Sequence, residues 1–139
     1  MALNRVFTFG RQFTAGVVAG AISGDPVLIG GDVNGTMGAV CLVDRGSDTR
    51  YPASATVEVD GVFDLTVKGA NGAGNIAINE GDIIYYVAAN TPKLSKIATG
   101  IRFGIAVINP RRPADIAAAG GATALLASGV TGTIAVRLG

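Results

Sequence analysis

The sequence predicts an all-β fold, either a compact β-sandwich or a small β-barrel, and three observations lead there. Short β-branched or apolar runs recur at spacings of about 8–12 residues, the rhythm of sandwiches and barrels. Gly, Asp, Asn and Pro separate them, with 21 glycines and 5 prolines among 139 residues. Only one stretch has the alanine content that favours a helix.

Taken in order, residues 17–21, 26–29, 38–43, 55–59, 62–67, 83–87, 94–97, 104–108 and 133–138 read as strands. The breaks between them have turn chemistry. Gly24-Asp25-Pro26 turns the chain before a strand, because Pro fixes φ and lacks a donor. Gly30-Gly31, Asn34-Gly35 and Gly81-Asp82 tolerate positive φ. Asp60-Gly61 is either a two-residue hairpin or a bulge within one long strand. The continuous strand is preferred, since it sets Asp64 on the face opposite Phe63 and Leu65. Residues 70–75 form a small Gly-rich loop, after which Ile76, Ile78 and 83–87 resume the β pattern. Residues 113–119 open with Pro and continue in alanines, as a helix start does. The paired Gly120-Gly121 break that helix ahead of 122–127, so a peripheral, partly helical Ala/Gly-rich insertion is expected at about 110–128.

The N-terminus differs from the body. Arg5, Val6, Phe7, Phe9, Arg11 and Phe13 concentrate aromatic and basic character ahead of the first predicted strand. Two readings stand: an edge strand of its own domain, or a strand offered to a neighbouring chain through backbone hydrogen bonds. The expected organisation is an arm over residues 1–13 and a single β domain over 14–139.

Composition excludes much chemistry. The chain has no His and one Cys, so histidine-based triads, the common zinc sites and a disulfide framework within the chain are out of reach. A net charge of +1 argues against nucleic acid as a partner. No run approaches the roughly 18 apolar residues of a membrane span, and no signal peptide is recognisable. The expectation is a soluble chain made in a reducing cytoplasm.

The remaining side chains form no recognisable reactive set. Asp25, Asp32, Asp44, Asp48, Asp60, Asp64 and Asp82 are scattered, mostly beside glycines or in turns, where Asp bonds nearby backbone N–H groups. Asp32-Val33-Asn34-Gly35 lacks the twelve-residue calcium-loop pattern, and 69–74 lacks the Lys-Ser/Thr of a phosphate loop. Cys41 lies in an apolar run and is expected to be an inert buried hydrophobe. Ser95 and Lys96 are adjacent and so point to opposite faces of a strand. Neither an enzyme nor a bound cofactor or metal is expected. Arg111 and Arg112, in Asn109-Pro110-Arg111-Arg112-Pro113, are candidates for electrostatic contact with an acidic neighbour, either another subunit or a larger partner.

Five blocks in fixed order carry a family resemblance: Gly24-Asp25-Pro26-Val27-Leu28-Ile29-Gly30, Gly61-Val62-Phe63-Asp64-Leu65, Gly81-Asp82-Ile83-Ile84-Tyr85, Gly104-Ile105-Ala106-Val107 and Gly132-Thr133-Ile134-Ala135-Val136-Arg137-Leu138. The series resembles the small capsid decoration, or cement, proteins of tailed bacteriophages and prophages, over residues 14–109 and 129–139. The resemblance implies a compact β domain, commonly a homotrimer. Such a protein binds the major capsid protein on the outer surface of the head, stabilises the shell and catalyses nothing. It implies a virion location after synthesis in the host bacterial cytoplasm, and an extended N-terminal segment that reaches the capsid, here residues 2–13. Residues 110–128 depart from the shorter members of that family. The alternative is a carbohydrate- or receptor-binding β module of a head fibre or tail. The absence of Trp and an aromatic content of only 6% speak against that alternative.

Overall fold

The computed structural model describes residues 11–139. Its strands are β1 (Gln12–Gly16), β2 (Pro26–Leu28), β3 (Gly38–Cys41), β4 (Ser54–Glu58), β5 (Val62–Lys68), β6 (Ala70–Asn71), β7 (Gly74–Asn75), β8 (Ile83–Tyr86), β9 (Leu94–Ser95), β10 (Ile101–Val107) and β11 (Thr131–Leu138). One short helix, α1 (Pro113–Ala117), and a 3-10 turn at Ala119–Gly121 interrupt them. The all-β expectation holds. The architecture is a closed five-stranded barrel, β10-β11-β5-β9-β8, joined to a four-stranded antiparallel sheet, β1-β4-β3-β2.

Strand alternation builds the barrel core. Along β5, Leu65 and Val67 point inward while Val62, Asp64, Thr66 and Lys68 point outward, as a period of two requires. Leu65, Val67, Ile84, Tyr86, Leu94, Phe103, Ala106, Ile134, Val136 and Leu138 fill the interior. Leu28 and Val40 of the four-stranded sheet belong to the same cluster, so one face of that sheet packs onto the barrel. Its other face forms a second cluster of smaller side chains, including Ala15, Val27, Ala39, Cys41, Ala55 and Val57. The seam is tight at Gly38. A Cβ there would lie 2.6 Å from a ring carbon of Phe103, so only glycine admits this approach.

Several expectations are corrected. Residues 17–21 are not a strand: Gly20 has φ +81° and Ala21 N–H donates to Val18 O, which makes a turn of the apolar run. The first strand lies earlier, at β1, with Phe13 opposite Val57 and Ala15 opposite Ala55. Asp60-Gly61 continues no strand and closes no hairpin. It carries the chain from β4 in the open sheet to β5 in the barrel, with Gly61 at φ +116°. Local turn chemistry is the same for all three outcomes, and only the packing of two sheets selects this one. The 70–75 loop contains the small β6–β7 hairpin. Residues 122–127 are not helical: Leu125 and Leu126 N–H both donate to Ile78 O, tying the segment to the barrel. Phe63, expected in the core beside Leu65, is only half-buried at its edge.

Three substitutions test this packing. Leu65→Ala should lower stability by about 2–5 kcal/mol and Phe63→Ala by clearly less, since only Leu65 is fully enclosed. Gly38→Ala should cost about 1–3 kcal/mol by overpacking against Phe103. Equilibrium urea unfolding of the three variants measures the order.

Candidate functional site

Two polar clusters and two clefts mark the surface around the junction of sheet and barrel. In the first cluster the Tyr86 hydroxyl, at the end of β8, donates to Asp32 Oδ1 at 2.7 Å. Lys93 Nζ donates to Asp32 Oδ2 and to the Tyr86 oxygen, each at 3.0 Å. It also lies 5.4 Å from the Tyr86 ring centroid. The Tyr86 ring stacks on Phe103 at 6.1 Å. Asp32 comes from the β2–β3 connection and the other two from the barrel, so the cluster clasps the two sheets together.

Its chemistry is that of a clasp. Burial and the hydrogen bond to Asp32 push the Tyr86 hydroxyl up to about 12. Burial alone would lower Lys93, but its hydrogen bonds to Tyr86 and Asp32 outweigh that and hold the ammonium above its ordinary value. Both groups keep their protons near neutral pH, which suits neither a nucleophile nor a general base. Cys41 is buried, and burial together with the Asp25 and Asp44 carboxylates raises its thiol to about 11. A thiol held there is inert.

The second cluster contains one of the two candidate arginines. The Arg112 guanidinium pairs with Asp64 of β5. It also reaches Asp115 of α1 at 3.5 Å and donates to Thr133 O at 3.1 Å. Asn109 completes the network: its backbone N–H donates to Asp115 Oδ2 at 2.9 Å and its Nδ2 donates to Asp64 Oδ2 at 3.2 Å. Asp115 is buried, and its partners satisfy it there. Arg112, expected at an intersubunit or capsid contact, therefore grips carboxylates of its own chain and straps the insertion over β11. Under that strap the outward-facing Ala135 is 2% exposed.

Arg111 is exposed and makes no ion pair among the described residues. Together with Val62, Ile108, Pro110 and Ala135 it lines a cleft of about 250 Å³. A second cleft, of about 360 Å³, lies between the 18–27 region and β5, and Asp25, Pro26, Asp64, Thr66, Asn90 and Lys93 are among its walls. Phe13, grouped with the arm by the sequence, is half-buried in β1 against the sheet's second cluster. Arg5, Val6, Phe7 and Phe9 lie outside the described residues.

Sequence reasoning missed Asp32, Tyr86, Lys93, Asn109 and Asp115. Asn109 carried a local signal, because Asn before Pro favours a turn. The others meet partners 54 or 61 residues away, or lie on an insertion with no pattern of its own.

These features define a β-structural protein with two tightly clasped sheets and a surface of clefts and strand edges. Among the described residues no group of three His, Cys, Asp or Glu is placed to hold a metal, and no helix is long and apolar enough to cross a membrane. Comparison with protein-family models, with curated proteins and with solved structures finds no match to this chain.

Two measurements probe the clusters. A tyrosine that ionises at about 12 when folded and near 10 when unfolded stabilises the fold fully below pH 10, and that contribution is lost as pH rises towards 12. Alkaline unfolding curves should therefore fall more steeply between pH 10 and 12 for the native chain than for Tyr86→Phe. That variant should lose about 1 kcal/mol at pH 7. Arg112→Ala should cost about 1–3 kcal/mol and speed limited proteolysis within 110–121, because buried Asp115 loses its cation. Arg111→Ala should stay within about 0.5 kcal/mol of the native chain in urea unfolding.

Proposed function

We propose that this protein is a structural component of a tailed-phage head that binds the major capsid protein on the outside of the shell and cements it as a homotrimer. The observation that carries this reading is the position of β1. It is an outer strand of the four-stranded sheet, its one strand neighbour among the described strands is β4, its far end is tied to the β2 continuation by Gly30 N–H donating to Gly16 O, and it follows the apolar, basic segment Arg5-Val6-Phe7-Thr8-Phe9. An outer strand joined to such a segment is suited to partner recognition through the backbone.

The chemistry of the body supports the same reading. The titratable clusters are spent on holding sheet to barrel and insertion to barrel. A shell cement works through many modest contacts repeated by symmetry, and multivalent attachment multiplies them through effective concentration. A rigid body serves that better than a mobile one. The sugar- or receptor-binding alternative gains less: neither cleft has an aromatic side chain in its lining, and aromatic surfaces are the usual seats for apolar ligand faces.

The test is co-sedimentation with expanded head shells, comparing the full chain with one lacking residues 2–10. The deletion stops there because Gln12 and Phe13 are paired to β4. Shell binding should weaken at least tenfold, with the β-domain melting transition retained. Unchanged binding removes the arm from the capsid contact, and specific retention on a glycan array would favour the sugar-binding reading.

A further inference from the structure

The chain carries two Asn-Gly pairs, Asn34-Gly35 and Asn71-Gly72. In such a pair the glycine nitrogen can approach the preceding side-chain amide, because no Cβ stands in its way. The fold treats the two pairs differently. Gly35 is buried, and its N–H donates to Gly31 O at 2.9 Å. Its backbone is clamped: a Cβ there would lie 2.4 Å from Gly31 O and 2.6 Å from Leu28 Cβ. The same loop is anchored at Asp32 by Tyr86 and Lys93. Attack by the Gly35 nitrogen therefore requires a hydrogen bond to break and a packed loop to open.

Asn71-Gly72 has the opposite surroundings. It lies at the turn of the β6–β7 hairpin, which pairs only Ala70 with Asn75 and Asn71 with Gly74. So small a hairpin opens at low cost. Its base is fixed by Ile76 N–H donating to Gly69 O and Lys96 N–H donating to Ala70 O, which confines the opening to the tip. Gly72 is exposed, and a Cβ built on it would meet nothing within 4 Å. Its N–H has no hydrogen-bond partner among the described residues. Asn71 Oδ1 meanwhile accepts from Ala73 N–H at 3.0 Å. That donor faces the oxygen on which negative charge develops when Cγ is attacked.

We propose that Asn71 is a spontaneous deamidation site of the folded protein and that the fold shields Asn34 from the same reaction. The Gly72 nitrogen bonds to Asn71 Cγ, the Cγ–Nδ2 bond breaks, and the Gly72 amide proton leaves with Nδ2 as ammonia. Water then opens the cyclic succinimide. Opening between Cγ and the nitrogen gives aspartate, and opening at the backbone carbonyl gives isoaspartate, whose main chain is one carbon longer. Water is the sole co-reactant, and no enzyme takes part. Either product carries a carboxylate at neutral pH, so the formal net charge falls from +1 to zero. Isoaspartate also displaces the turn from its pairing opposite Gly74. The protein thus changes charge with time at one fixed place on its surface.

Incubation of the full-length chain in mildly alkaline buffer, followed by peptide mapping with mass spectrometry, tests this. Asn71 should convert at least tenfold faster than Asn34 while the chain is folded, with isoaspartate confined to the peptide that contains residue 71. In concentrated urea, where packing is lost, the two rates should come within about threefold of each other. Gly72→Ala meets no packed neighbour, so it should keep the native melting transition while slowing conversion at Asn71 at least fivefold. Conversion at Asn34 as fast as at Asn71 in the folded chain overturns the proposal. So does a tenfold preference that persists in urea, which would place its cause in the neighbouring side chains and not in the fold. Protection of both sites in the folded chain, with reaction only in urea, overturns it as well. Unchanged conversion at Asn71 in Gly72→Ala does the same, because the attacking nitrogen would then not be that of residue 72.

Discussion

The contact of the Phe103 ring with Gly38 is the constraint on which the architecture depends. Four strands with one open apolar face cannot stand alone in water, and a small barrel has little interior of its own. Placing Leu28 and Val40 of the sheet in the same cluster as Phe103 and Tyr86 solves both problems at once. The approach has to be close, and a side chain at position 38 would prevent it. Tyr86 then does two jobs. Its ring stacks on Phe103, and its hydroxyl reaches Asp32 on the sheet side, so the apolar seam ends in a polar lock.

The same economy of charge governs the insertion. An Ala-rich helix of five residues has too little apolar surface to stay folded by itself. What holds it is Arg112 between Asp64 and Asp115, with Asn109 bonded to both carboxylates. Two adjacent arginines thus part company. Arg112 is used up by the fold, and Arg111 is left facing solvent beside a cleft walled by Val62, Asp64, Ile108 and Asn109, with no ion pair among the described residues.

The two ionisable clusters described above hold the fold together, so the proposed function rests on the surface and the strand edges. The Val62–Thr66 stretch of β5 presents backbone groups that no described strand satisfies. Natural β proteins usually blunt or cover such edges, as Pro26 does for β2. One such stretch left unguarded in so small a domain is what the proposed assembly would have to cover.

Much of the strand layout was legible because it is local. Alternation along 62–67 and turn residues at 24–26 and 81–82 act over a few residues, and β5, β8 and β11 lie where those patterns place them. The inert character of Cys41 was legible too, from its apolar neighbours. The sequence alone thus determined the strand-rich class, the inward set of β5 and the removal of histidine and disulfide chemistry. Tertiary structure decided which sheet each strand joins, the passage from sheet to barrel at Asp60-Gly61, the intrachain use of Arg112 and the clasp of Asp32 with Tyr86 and Lys93. The physical reason is distance along the chain. These contacts join residues 48 to 61 positions apart, and their free energy comes from mutual burial and pairing, which no local pattern records.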